Sequence, residues 1–124
     1  MNDPVSHPSH YTSSESGVEC IEITQHQAFC VGNAVKYVWR AGEKDKAKHV
    51  EDLQKAIWYL DRQIETHRYA LSTYPKSWYA NMCKVVLSLE PFSNIEEFFM
   101  AIYSQDLPAA IEAIELEIVR LKNE

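Results

Sequence analysis

The chain has 124 residues, 46% of them hydrophobic, which suffices for one domain with its own core and is too little for two large ones. Only three glycines interrupt long runs rich in Ala, Leu, Ile, Glu and Lys, a composition that favours helices over a sandwich or barrel. Twelve Lys and Arg against 18 Asp and Glu give a net charge of −6, which works against general binding of a nucleic-acid backbone. A few converging basic residues can still build a local phosphate site on an acidic protein.

Residues 1–17 are polar and turn-like, with Asp3-Pro4, His7-Pro8 and the stretch 12–17, and read as an extended arm. The arm carries no basic-then-apolar signal pattern, and no apolar stretch in the chain approaches the roughly 20 residues needed to span a bilayer. A cytoplasmic location is the expectation. Cys20, Cys30 and Cys83 are odd in number and lack metal-binding spacing, so all three are expected as buried free thiols.

A short helix is expected from Val18, with Val18 and Ile21 on its apolar side and Glu19 and Glu22 sharing another. Gln25-His26-Gln27 then interrupts it. Gly32-Asn33 opens a clearer helix through about Ala41, with Ala34, Val35, Val38 and Trp39 inward and Asn33, Lys36, Tyr37 and Arg40 on a second stripe. Gly42 fits a C-cap, and Arg40 suits the negative helix end. The charged stretch 43–49 reads as an exposed loop. The strongest periodicity covers residues 48–69, where Leu53, Ala56, Ile57, Leu60 and Ile64 form an apolar stripe flanked by Asp52, Lys55, Tyr59 and Arg62. Neither stripe is stable alone in water, so the two helices should pack as an αα-hairpin.

Residues 72–75 end that element. A helix over 76–89 should face Trp78, Met82, Val85, Val86 and Leu89 inward. Ser93 with Glu96 three residues on reads as a capping box before an aromatic helix containing Phe98, Phe99, Ile102 and Tyr103. Asp106 caps a last helix with Pro108 in its first turn, and Ile111, Ile114, Ile118 and Leu121 form a stripe for the core or a dimer face. The fold expected is all-α: a small helical bundle built on the hairpin, as one domain over 1–124. It divides into an arm over 1–17, a helical core over 18–69 and a helical extension over 70–124.

Three segments carry a resemblance: His7-Pro-Ser-His10-Tyr11, Gly32-Asn-Ala-Val-Lys36-Tyr37-Val-Trp-Arg40-Ala-Gly42-Glu-Lys44, and the run from Glu51-Asp52 to Arg62. Over about residues 5–68 the chain resembles a small family of unknown function found across tailed bacteriophages, related to a domain of a phage nucleotide kinase. The resemblance implies a nucleotide-related role in the infected bacterial host cell. It directs attention to His7, His10, Tyr11, Glu19, Glu22, Asn33, Lys36, Tyr37, Arg40, Lys44, Asp52, Lys55 and Arg62. Residues 70–124 lie outside it.

The phosphate cradle GxxxxGK followed by Ser or Thr is absent, which excludes an ordinary P-loop kinase. Phosphates would have to be held by side chains on helices. Lys36, Arg40 and Lys44 would take phosphate oxygens, with Tyr11, Asn33, Tyr37, Lys55 and Arg62 completing the nucleotide site. Glu19, Glu22 and Asp52 would hold Mg²⁺, a hard ion that takes oxygen ligands, and the partial pattern Glu19-x-x-Glu22 plus Glu51-Asp52 is similar to that of all-α nucleotide pyrophosphatases. His7 and His10, with Asp52, are the candidate acid–base residues. The ordinary reading of the same charges is solvated helix faces and ion pairs between the two helices.

The expected function is nucleotide or nucleotide-phosphate binding by a phage accessory protein, with Mg²⁺-dependent phosphoryl transfer or hydrolysis as its enzymatic form. The alternative is a non-catalytic protein that engages a host or phage protein through the aromatic C-terminal half. Charge disfavours direct nucleic-acid binding, no membrane association is expected, and pairing of the last helix would give a homo-oligomer.

Overall fold

The computed structural model describes residues 15–43, 45–67 and 70–124. Among these residues there are six α-helices, one 3₁₀ turn and no strand, as the composition predicts. The helices are α1 (Cys20–Thr24), α2 (Phe29–Arg40), α3 (His49–His67), α4 (Lys76–Ser88), α5 (Asn94–Tyr103) and α6 (Leu107–Lys122), with the 3₁₀ turn at Lys46–Lys48.

Helix α1 begins at Cys20 because Glu19 and Glu22 close a capping box, in which the Glu22 carboxylate accepts the Glu19 amide at 2.7 Å. Helix α2 starts at Phe29, three residues before the expected Gly32. Gly32 instead lies buried inside α2, where a Cβ would meet the Thr24 carbonyl oxygen at 3.4 Å. Gly42 does end α2: it follows the C-cap Ala41, adopts φ +76° and carries the His49 ring where a Cβ would stand, 2.9 Å away.

Helices α2 and α3 pack along each other as the expected hairpin. Val31, Ala34, Val35 and Val38 from α2 meet Leu53, Ala56 and Leu60 from α3, the last three wholly buried. Helices α5 and α6 form a second hairpin through Phe98, Phe99 and Ile102 on one side and Ala110, Ala113 and Ile114 on the other. Helix α6 also lies on α3, while α4 packs against α1 and α5, so the two hairpins share one core. The expected α6 stripe shifts by one step. Ile114 is fully buried, Ile111, Ile118 and Leu121 are partly buried, and Glu117 joins the covered face.

Trp78 joins the halves directly. Its indole is fully buried, stacks on Tyr74 at 3.9 Å and donates from Nε1 to the Ile23 carbonyl at 3.1 Å. The α5 cap is a variant of the expected box: Ser93 Oγ accepts the Glu96 amide, but the Glu96 carboxylate reaches back to the Phe92 amide, one residue further. Phe92 takes φ +63°, which turns its amide toward that carboxylate. Asp106 caps α6 by accepting the Ala109 amide at 3.1 Å.

Glu117 is a buried carboxylate of the second hairpin, held by Arg120 at 2.7 and 2.9 Å and by Asn94 Nδ2 at 3.1 Å. The Arg120 hydrogen bonds keep its carboxyl below the usual glutamate range, against the opposing effect of burial. A lowered folded pKa stabilises the fold above the ordinary glutamate range, and that stability is lost as pH falls toward the lowered value. Glu117→Gln should therefore flatten the loss of stability on acidification, read from urea midpoints across the acid range. Trp78→Phe should cost about 1–3 kcal/mol, because it leaves the buried Ile23 carbonyl without its donor, and urea denaturation followed by circular dichroism measures it.

Candidate functional site

The hairpin brings a set of polar and aromatic side chains to one face. Arg40, in the last turn of α2, lies 3.9 Å from Asp52 Oδ1 in the first turn of α3, and both side chains are largely buried. Asp52 Oδ2 also accepts the Gly42 amide at 3.5 Å. This is the interhelical ion pair expected as the ordinary reading of the charge stripes, and it places Asp52 in a structural bond between the helices. Arg40 Nε is buried without a hydrogen-bond partner.

The Arg40 guanidinium sits 4.8 Å from the centroid of the Tyr37 ring, and the Lys55 ammonium lies 5.6 Å from the same centroid. Tyr37 stacks on Tyr59 at 5.9 Å, and Tyr59 meets Phe29 and Trp58 edge-on at 6.2 and 5.1 Å. Phe29 and Trp58 are 76% and 60% exposed. The result is an aromatic strip with two cations at one end. The adjacent pair Trp58-Tyr59, beside the apolar stripe of Leu53, Ala56 and Leu60, is the sequence signal that would have found this strip.

The remaining predicted residues are placed as follows. Asn33 donates to the Phe29 carbonyl of its own helix at 2.8 Å, and Arg62 pairs with Glu65 at 3.4 Å. Lys36 lies close enough to Cys20 to act on its thiol electrostatically. Lys55 also approaches Glu51 at 4.0 Å within α3. Glu19 and Glu22 form the α1 capping box while Asp52 faces Arg40, and no group of three potential metal ligands forms among the described residues. His7, His10, Tyr11 and Lys44 lie outside the described residues.

In the C-terminal half Trp78 is buried as expected, Phe98 and Phe99 are buried beside it, and Trp39 packs edge-on against Phe99 at 5.8 Å, while Leu87, Phe92 and Tyr103 are exposed. The cysteines also divide. All are free, but only Cys20 is buried; Cys30 is intermediate and Cys83 exposed. The expectation of three buried thiols fails for Cys83 because it falls on the outer face of α4, opposite the Trp78–Met82–Val85 side. Burial pushes the Cys20 thiol up to about 12, with Lys36 acting in the lowering direction. The thiolate is the reactive form, so a disulfide reagent at neutral pH should label Cys83 in the native protein and Cys20 only after unfolding, as read by mass spectrometry of the labelled peptides.

Comparison with known proteins agrees with the first half of the chain. Residues 5–61 match the model of a protein family of unknown function, DUF3310. The chain is 36% identical over 76 residues to the Gene 1.7 protein of Enterobacteria phage T3, an alignment covering 55% of this chain and 45% of that protein. It therefore spans under half the length of that curated relative. No solved structure matches. Neither description names an activity, and the relative sets the chain beside small phage proteins of the kind its sequence resembles.

Proposed function

We propose that the chain is a phage accessory protein that binds a nucleotide on the outer face of α2 and α3. The observation that supports this reading is the convergence of Arg40 and Lys55 over the Tyr37 ring at one end of an exposed aromatic strip. Arginine offers a planar fork for two phosphate oxygens and lysine a point charge beside it. A base would lie on Trp58 and Tyr59, where stacking is worth roughly 1–3 kcal/mol per base. The stretch matched by the family model includes every one of these residues.

Mg²⁺ enters this reading as the counterion that a nucleotide carries on its phosphates, since Glu19, Glu22 and Asp52 do not converge. Turnover, with His7 and His10 as acid and base, is the extension of the reading rather than its core. A second reading is favoured by Phe29 and Trp58: exposed aromatics beside an arginine are the residue types that anchor protein partners. The partner would then seat on the hairpin face.

Calorimetric titration with deoxynucleoside mono- and triphosphates, with and without Mg²⁺, tests the proposal. Lys55→Ala is the informative variant, because Lys55 is half exposed and its removal leaves the fold intact, whereas Arg40→Ala would strand Asp52 as a buried unpaired charge. Saturable binding weakened about tenfold by Lys55→Ala, the size of one charge-assisted hydrogen bond, is expected. Absence of binding to every nucleotide by the folded protein would remove the reading in favour of a protein partner.

A further inference from the structure

A groove of about 620 Å³ lies between α4 and α5 and reaches the start of α6. Val86 and Leu87 form one wall, and Met100 and Tyr103 form the other. Leu87 is 85% exposed, and Met100 and Tyr103 are 48% and 40% exposed. The core does not use these side chains: α4 turns Trp78, Met82 and Val85 inward, and α5 turns Phe98, Phe99 and Ile102 inward. An apolar face is therefore left uncovered beside an apolar hollow. It shares no residue with the Arg40–Lys55 face and is independent of nucleotide binding there.

Charge is divided between the two walls. Lys84 stands on α4 one turn before Leu87, and Glu97 lines the groove from α5 one turn before Met100. Both are exposed, and neither makes an ion pair among the described residues.

A two-fold contact needs one patch that carries both halves of each interaction, because residue i of one copy meets residue j of the other and the reverse. This patch meets that requirement. It has an apolar knob at Leu87 beside an apolar hollow, and a cation on one wall opposite an anion on the other. The stripe on α6 that the sequence offers for pairing is largely taken up by the core, with Ile114 fully buried and Ile111, Ile118 and Leu121 partly covered.

We propose that two copies of this chain pair through the α4–α5 groove as a reversible two-fold dimer. Leu87 of each copy enters the groove of the other, and Lys84 of each faces Glu97 of the partner subunit. One helix face and one groove make a contact at the weak end of protein interfaces, so the dimer forms as concentration rises. Cys83 lines the same groove, and its labelling in the dilute protein should slow as the dimer forms.

Sedimentation of the full chain over a concentration series up to about 1 mM, a weak limit for specific association, tests the proposal. A monomer–dimer equilibrium is expected. Leu87→Ser should abolish it. Lys84→Glu and Glu97→Lys each set like charges together and should each weaken it roughly tenfold, about 1.4 kcal/mol. An equal mixture of these two variants should recover the dimer, because every Lys84–Glu97 contact then joins opposite charges again. A chain that stays monomeric throughout overturns the proposal. So does a dimer that a folded Leu87→Ser protein keeps, or a mixture of the two charge variants that associates no better than either alone. All three side chains are exposed, and circular dichroism checks folding; should one variant fail to fold, the others decide.

Discussion

The fold depends on the burial of one indole. Trp78 sits with no exposure where α4 crosses α1, and its ring faces Tyr74 on one side and Tyr103 further off on the other. A buried Trp needs an acceptor for its N–H, and the Ile23 carbonyl supplies it from the last turn of α1. That single bond spans 55 residues and ties the family-matched half of the chain to the other half. Each hairpin could form from neighbouring sequence, but their relative position follows from where this ring finds its acceptor.

On the hairpin face a structural bond and the proposed binding surface share residues. Arg40 ends α2 and Asp52 begins α3, so each charge favours the helix end it occupies as well as its partner. Holding the guanidinium against the protein also holds it over Tyr37. For the proposed ligand the cation would be already oriented, with little side-chain entropy left to lose. The same pairing withdraws Asp52 from acid–base work, which is why binding is better supported on this face than turnover.

Much of the architecture was legible because it rests on local rules. The Ser93 and Asp106 caps, the Gly42 stop and the apolar stripes of α2 and α3 all follow from spacing within a few residues. Legibility failed where a distant neighbour decided the outcome. Gly32 reads as a helix opener, yet it lies buried inside α2, which starts three residues earlier against α1. Glu19 and Glu22 have the spacing of a metal pair and of a capping box alike, and only the backbone between them distinguishes the two. The spacing of Phe98 and Phe99 marks an aromatic helix without showing that α6 covers it.

Gln105 adopts φ +59°, a conformation that glycine occupies at least cost and asparagine tolerates. Its carboxamide nevertheless makes both bonds that fasten Ser72. Glycine would relax the backbone and abandon the segment 70–75, while asparagine is one methylene shorter on the same left-handed backbone. The residue that suits the turn and the residue that suits the fastening are thus different amino acids. At this position evolutionary drift toward an easier backbone would cut the tether between the segment 70–75 and the α5–α6 junction, so the strain and the tether can only be kept or lost together.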